Sequence, residues 1–323
     1  MTSRLEQYFR YHKESARIGD IDPSYAMLKY VANRFELSIE QRYWIAFLYA
    51  LTYNGASTFY IGQEFPDYEN VDIHRMQRWW DTRGRDEMMV QTDRRWVRSS
   101  DMFVDAVASY QWWVGDRPQH EHFMEIATGD TAEERYDRLY ADANQLYSFG
   151  QFALFLYLEA LHTITPLDLM PTDLNLDKAW SCRNGLYYAY DLDHWIEDTE
   201  SRIIPEAWDE TAARWKELRA ALALLETPPT IWQTETILCA FRKWFRGKRW
   251  IGYYLDRQCS EIIKMEEHVW SGGVCFDVLY QYREETYDHE FLAEKHGGPS
   301  KEWKNWGIER TRLLLEEADS LGR

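Results

Sequence analysis

Apolar and polar positions recur at helical spacing through nearly all of the 323 residues, and strand-like alternation is scarce. Asp22-Pro23 predicts a helix start, with an acid that can cap and a proline at the first helical position. Ser38 with Gln41 three residues on forms a capping box for the next helix, Ile39–Tyr53. That helix is apolar on almost every face, so it is expected at the centre of a core, as is Phe149–Ile164. Thr131 opens a further helix. Ser201–Leu225 has the amphipathic pattern of a long outer helix, and Thr236–Trp250, Tyr253–Val269, Phe276–Glu290 and Lys301–Leu321 complete the set. Met88–Val97 alone alternates enough for a short hairpin or extended arm. The expected fold is all-α: one compact multi-helix domain over residues 1–323, or two packed helical lobes. The Pro-rich corner at Thr227–Thr230 marks a boundary near 226–230.

Composition adds two constraints. Aromatic residues make up 16% of the chain, which excludes disorder and leaves rings to pack a core or stack on a planar ligand. The net charge is −17, which argues against a protein that coats DNA and makes any local basic stripe informative. Cys182, Cys239, Cys259 and Cys275 have neither CxxC nor zinc-finger spacing, as expected of reduced thiols in a cytosolic protein. No apolar run is long enough to span a membrane, and the first residues lack a signal-peptide core. Walker A, GxGxxG, HExxH and GxSxG motifs are absent, which removes kinase, dehydrogenase, zincin and serine-hydrolase readings.

Four segments carry candidate chemistry. In Phe241–Trp250, the cations Arg242, Lys243, Arg246, Lys248 and Arg249 alternate with aromatics including Trp244 and Trp250. Cations neutralise phosphates and rings stack on exposed bases, so this strip is the expected DNA contact. At helical spacing Arg242, Arg246 and Arg249 would share one face; the plain alternative is a solvated face over a packed one. A second basic cluster, Arg83, Arg85, Arg94, Arg95 and Arg98 with Trp96, is either a phosphate grip or an ordinary loop. The next segment reads as a turn or helix start: Arg183 and Asn184 supply a fork donor and an amide, and Asp191, Asp193, Glu197 and Asp198 follow. Paired carboxylates can hold Mg²⁺ or act as a general base, though acids also collect at helix N-termini for the macrodipole. Asp256-Arg257 is a third candidate, as a functional pair or an ordinary cap and salt bridge. The fourth, Tyr53-Asn54-Gly55, reads as the C-cap of a central helix that also floors a pocket, with Gln63-Glu64 as a weaker neighbour.

Three of these stretches resemble motifs of the phage amino acid:DNA transferases, also called the α-glutamyl/putrescinyl-thymine pyrophosphorylases. They are SCRNGL at 181–186, GYYLDRQ at 252–258 with Glu261-Ile262, and VLYQYR at 278–283. The resemblance is strongest from about 180 to 290. It implies a fold related to helical DNA glycosylases and a reaction on phage DNA whose thymine is replaced by 5-hydroxymethyluracil. An amine, usually of an amino acid and here expected to be glycine, displaces pyrophosphate from the activated hydroxymethyl base. It further implies base extrusion between aromatics, cations for the leaving pyrophosphate at Arg183, Arg257 or the 242–249 strip, and a carboxylate (Asp191, Asp193 or Asp256) that takes the ammonium proton. Arg283 would hold the amino acid carboxylate, with Tyr53, Asn54, Asn184 and Glu261 also binding substrate. The expected partners are DNA and a free amino acid, for a monomer in the cytoplasm of the infected cell. No cofactor is required by this reading beyond the option of Mg²⁺. Two alternatives stand beside it: another base-flipping enzyme such as a glycosylase, and a non-catalytic acidic DNA mimic.

Overall fold

A computed structural model describes residues 3–91, 94, 97–98, 102–196, 205–269, 274–293 and 298–316. These residues are all-helical, and no strand occurs among them. The alternating stretch after Met88 therefore makes no hairpin in its described part, where residues 88–91 follow the Arg85–Glu87 helix without regular structure. Two compact units emerge. One comprises Met1–Pro23, Thr172–Arg257 and Tyr287–Arg323; the other comprises Ser24–Pro171 and Gln258–Thr286. The Pro-rich corner at 227–230 lies inside the first unit.

The second unit is built round the Ile39–Thr52 helix. Ser38 and Gln41 form the expected capping box, and Tyr43 through Thr52 are all buried. The Gln151–Ile164 and Gly55–Glu64 helices pack on it. Its rings stack on neighbours: Tyr43 on Phe123 at 4.5 Å, and Phe47 on Tyr110 at 4.0 Å. Trp44 Nε1 donates to the Phe65 carbonyl at 2.8 Å, so the indole is buried without losing its hydrogen bond. Each buried ring contributes on the order of 3 kcal/mol of transfer free energy. Much of the aromatic surplus therefore packs this core.

The corner after the central helix differs from the sequence expectation. Tyr53 itself takes the left-handed conformation, with φ 47°, and ends the helix. Asn54 is extended, and its Oδ1 accepts from the Ser57 amide at 2.8 Å, so it N-caps the next helix, Gly55–Glu64. Gly55 is helical, not a C-cap. Its hydrogen substituent fits where a Cβ would come within 2.3 Å of the Met27 methyl.

In the first unit the Trp180–Ala189 and Ile231–Trp244 helices form the most extensive contact. Gly185 makes it possible: a Cβ there would lie 2.1 Å from the Leu238 carbonyl oxygen. Asn184-Gly185 is thus mid-helix, not a turn. Tyr8 and Tyr11 of the Arg4–Arg17 helix set their edges against Phe241. The Ile231–Trp244 helix starts five residues before the expected Thr236, because Thr230 and Gln233 form a capping box. It also ends six residues early, and the chain then turns through Gly247 at φ 64°. Arg246 and Arg249 consequently both lie beyond the helix and share no helical face with Arg242.

Candidate active-site residues

The first unit gathers carboxylates and cations at the start of two helices. Pro23 opens a helix as expected, but Asp22 before it has φ 44°, a strained setting for a residue with a Cβ. Its carboxylate accepts a short hydrogen bond from the Thr236 hydroxyl. Glu235, next to Thr236 and half-buried, accepts from the Cys182 thiol at 3.1 Å. Burial pushes the Glu235 carboxyl up to about 7, and the like charge of Asp22 adds to the rise. Burial likewise raises Asp22, against the pull of the Thr236 hydroxyl and of Arg257, Arg249 and Lys243. The Cys182 thiol is itself pushed up by burial and by Glu235, which leaves it a hydrogen-bond donor and a poor nucleophile.

The surrounding cations differ in availability. Arg242 is 4% exposed, lies 4.0 Å over the Trp180 ring and donates to Ser181 Oγ at 3.0 Å. These contacts hold the guanidinium against the protein rather than in solvent. Arg249 stacks on Tyr253 at 3.6 Å with its side chain half-buried, as are those of Lys243, Trp244 and Arg257. Arg246 and Lys248 are exposed, and Trp250 is buried. Phe245 is exposed beside them and stacks on Tyr188 at 4.8 Å, with ring planes 1° apart.

The other predicted residues of this unit have structural partners. Asp191 and Asp193 are exposed and pair with Arg4 at 3.0 and 2.6 Å. Arg183 is buried and donates to the carbonyls of Leu176 and Asp177, and Asn184 is buried beside it in the helix. Asp256 is buried and accepts from two indoles, Trp250 at 3.1 Å and Trp303 at 2.7 Å. The N-terminus of the Tyr253–His268 helix is bound by a distant acid, Asp20, which accepts from the amides of Gly252 at 2.7 Å and Leu255 at 2.9 Å. Burial raises the Asp20 carboxyl to about 8 despite those amides. Glu197 and Asp198 lie outside the described residues.

Tyr53, Asn54, Glu261 and Arg283 all belong to the second unit, where Asn54, Glu261 and Arg283 are buried and Tyr53 is half-buried. Gln91 links its parts: its amide donates to the Thr52 carbonyl at 3.0 Å, and its Nε2 donates to Glu261 Oε1 at 2.5 Å. Arg283 Nη1 donates to Gln258 Oε1 at 2.9 Å. Ser57 Oγ approaches Met265 Sδ at 3.1 Å, one turn beyond Glu261. Tyr53 sets its ring edge 5.8 Å from Phe152. The basic cluster at 83–98 is largely engaged by protein. Arg83 pairs with Glu64, Arg85 lies 3.8 Å from Asp81, and Arg94 is buried over Phe149 with donations to the Leu51 and Ser148 carbonyls. Arg98 donates to the Arg85 carbonyl, while Arg95 and Trp96 lie outside the described residues. A separate groove of about 850 Å³, lined by Trp112, Arg117, His122, Arg138 and Asp142 among others, contains none of the predicted residues.

Among the described residues no group of three or more His, Cys, Asp or Glu is placed to hold a metal ion. No described helix is long and apolar enough to cross a membrane. Sequence reasoning did not single out Asp22, Glu235 or Asp20 as carboxyls whose proton affinity burial raises. Asp22 was read only as a cap, and Glu235 carries no local signal, because its raised proton affinity comes from neighbours distant in sequence.

Comparison with known proteins bears on the activity. Residues 16–249 match the family model described as amino acid:DNA transferase. A serinyltransferase of Salmonella phage ViI is 26% identical over 297 residues, which span 82% of this chain and 69% of that protein. No solved structure matches the chain significantly. The match covers well over half of the sequence, including the Asp22, Cys182 and Glu235 positions and most of the basic strip, and the chain belongs to the amino acid:DNA transferase family.

Proposed function

We propose that this enzyme joins the amine of a small α-amino acid to the activated methylene of 5-(pyrophosphoryloxymethyl)uracil in phage DNA. The resemblance of its motifs suggests glycine, and the name of the phage ViI relative brings serine into the same class. In the reaction a C–N bond forms, the C–O bond to pyrophosphate breaks, and pyrophosphate leaves with the bonding electron pair. One ammonium proton must be removed before attack.

The observation that carries this reading is two carboxyls raised by burial, Asp22 on the Thr236 hydroxyl and Glu235 on the Cys182 thiol, with Arg257, Arg249 and Lys243 acting on Asp22 and Lys243 on Glu235. A base poised near 7 accepts a proton at neutral pH and can give it up again. Glu235 is assigned as that base, with Asp22 raising its affinity. Asp191 and Asp193 suit the role less well, being exposed and paired with Arg4. The three cations suit the leaving pyrophosphate, and exposed Arg246 and Lys248 suit the DNA backbone. Arg183 and Asp256 are given supporting roles: one pins the 176–177 carbonyls, and the other holds two indoles. The reaction is placed in the cytoplasm of the infected cell, with the enzyme acting as a monomer.

The test is mass spectrometry of nucleosides after incubating pyrophosphorylated hydroxymethyluracil DNA with single amino acids. Wild type should release pyrophosphate and yield an aminomethyl-linked base. Glu235→Gln should lower the transfer rate at neutral pH by about 10²-fold or more. Undiminished transfer by that variant would remove Glu235 as the base.

A further inference from the structure

Two buried amides in the second unit have donors with no acceptor. Asn54 is 1% exposed and Gln258 is 2% exposed. Asn54 Nδ2 and Gln258 Nε2 find no hydrogen-bond partner among the described residues. The orientation of each amide is fixed by its oxygen: Asn54 Oδ1 takes the Ser57 amide, and Gln258 Oε1 takes Arg283 Nη1. Neither group can flip to satisfy its donor without losing the bond it has. Burying such donors is costly, and native chains keep few of them without a purpose.

Glu261 supplies the complementary acceptor. It is 6% exposed and lies three residues after Gln258, hence on the same helix face. Gln91 Nε2 fixes its Oε1 at 2.5 Å, and the Gln91 backbone is bonded to Thr52, two residues from Asn54. Both ends of the cluster are therefore tied to the same short stretch of chain. Tyr53, half-buried and adjacent to Asn54, adds a ring.

From these donors and this acceptor we infer that the cluster is a pocket for a pyrimidine-2,4-dione base taken out of the duplex, a step that rests on the proposed reaction on uracil-type bases. The edge of such a base presents two carbonyl oxygens about one N3–H. Asn54 Nδ2 and Gln258 Nε2 donate to the carbonyls, and Glu261 accepts from N3–H. A cytosine-type base presents an amino group where one carbonyl stands and a bare N3 facing Glu261, so two contacts become repulsive. A neutral base also suits a closed site better than a free amino acid, whose two full charges would have to be desolvated while Arg283 and Arg94 are already engaged.

The conservative variants Asn54→Asp and Gln258→Glu test this. Each removes the NH₂ donor and keeps the structural bond, the helix cap in the first and the Arg283 partner in the second. The full-length protein is titrated with duplexes holding one 5-hydroxymethyluracil or one 5-hydroxymethylcytosine, each opposite an abasic site so that extrusion costs are similar. Wild type should prefer the uracil-type duplex by about 10- to 100-fold. Each variant should lose about tenfold or more of that preference, with an unchanged KM for the amino acid, measured below the melting temperature of each variant so that any cost of the buried carboxylate is kept apart from binding. Preference retained by both variants would overturn the inference and leave the donors to internal water. A raised amino acid KM with base preference intact would overturn it in favour of a donor site for the amino acid. Binding is read without turnover, so a wild type that discriminates between bases but transfers no amine would refute the reaction and leave the base pocket standing.

Discussion

Replacing Glu235 by Gln should make the protein more stable at alkaline pH while disabling it. The Glu235 carboxyl is raised from an ordinary 4.5 to about 7 by burial and by Asp22. A raised carboxyl favours the folded state fully below its unfolded value, and that advantage is lost as pH rises through the folded value. Stability relative to a neutral isostere should therefore fall between about pH 4.5 and 7 and level off above it. At about 1.4 kcal/mol per pH unit, the ceiling on this loss is about 3 kcal/mol. The side chain is half-buried and partly screened, which reduces the expected value to about 2 kcal/mol. The assay is urea denaturation of wild type and Glu235→Gln at pH 4.5 and pH 8.5. The two curves should nearly coincide at the acid end. At the alkaline end the variant should be more stable by about 2 kcal/mol, worth a few degrees in Tm, part of it from relieved repulsion with Asp22. Equal stability at both pH values, or a variant weaker at pH 8.5, would refute the claim that Glu235 is held against its preferred charge. A functional site that costs stability is the expected compromise.

Other perturbations separate packing from function. Gly185→Ala would place a Cβ 2.1 Å from the Leu238 carbonyl oxygen and should cost about 3 kcal/mol or prevent folding, as judged by denaturant melts and solubility. Arg246→Gln with Lys248→Gln, both exposed, should move Tm by no more than about a degree or two. The slope of log K against log salt should shrink by about 2 in DNA titrations, equally for all sequences. Arg242→Ala, by contrast, should lower Tm through loss of its Trp180 and Ser181 contacts. Asp256→Asn can accept well from only one of its two indoles and should cost about 1–2 kcal/mol in urea melts.

Local rules recovered much of the helical scaffold, and their failures are informative. Ser38 and Thr131 cap their helices as their side chains demand, because a cap needs only atoms three residues away. The Ile231–Trp244 helix was misplaced because its own box, Thr230 and Gln233, went unread beside a more conspicuous basic run. By composition Asn54-Gly55 reads as a helix C-cap and Asn184-Gly185 as a turn or helix start. One is a helix start and the other is the contact between two helices, since neighbouring elements decided each.

The sequence by itself determined the helical class and the buried central helix, because periodicity and composition are local properties. Tertiary structure alone decided which charged groups are available for chemistry. It set Arg242 against Trp180 and Ser181 and Asp256 between two indoles, left Asp191 and Asp193 on the surface with Arg4, and put Glu235 within electrostatic reach of Asp22. The physical reason is that a carboxylate's proton affinity, or a cation's freedom to meet phosphate, depends on desolvation and on partners hundreds of residues away in sequence. No local pattern encodes that environment.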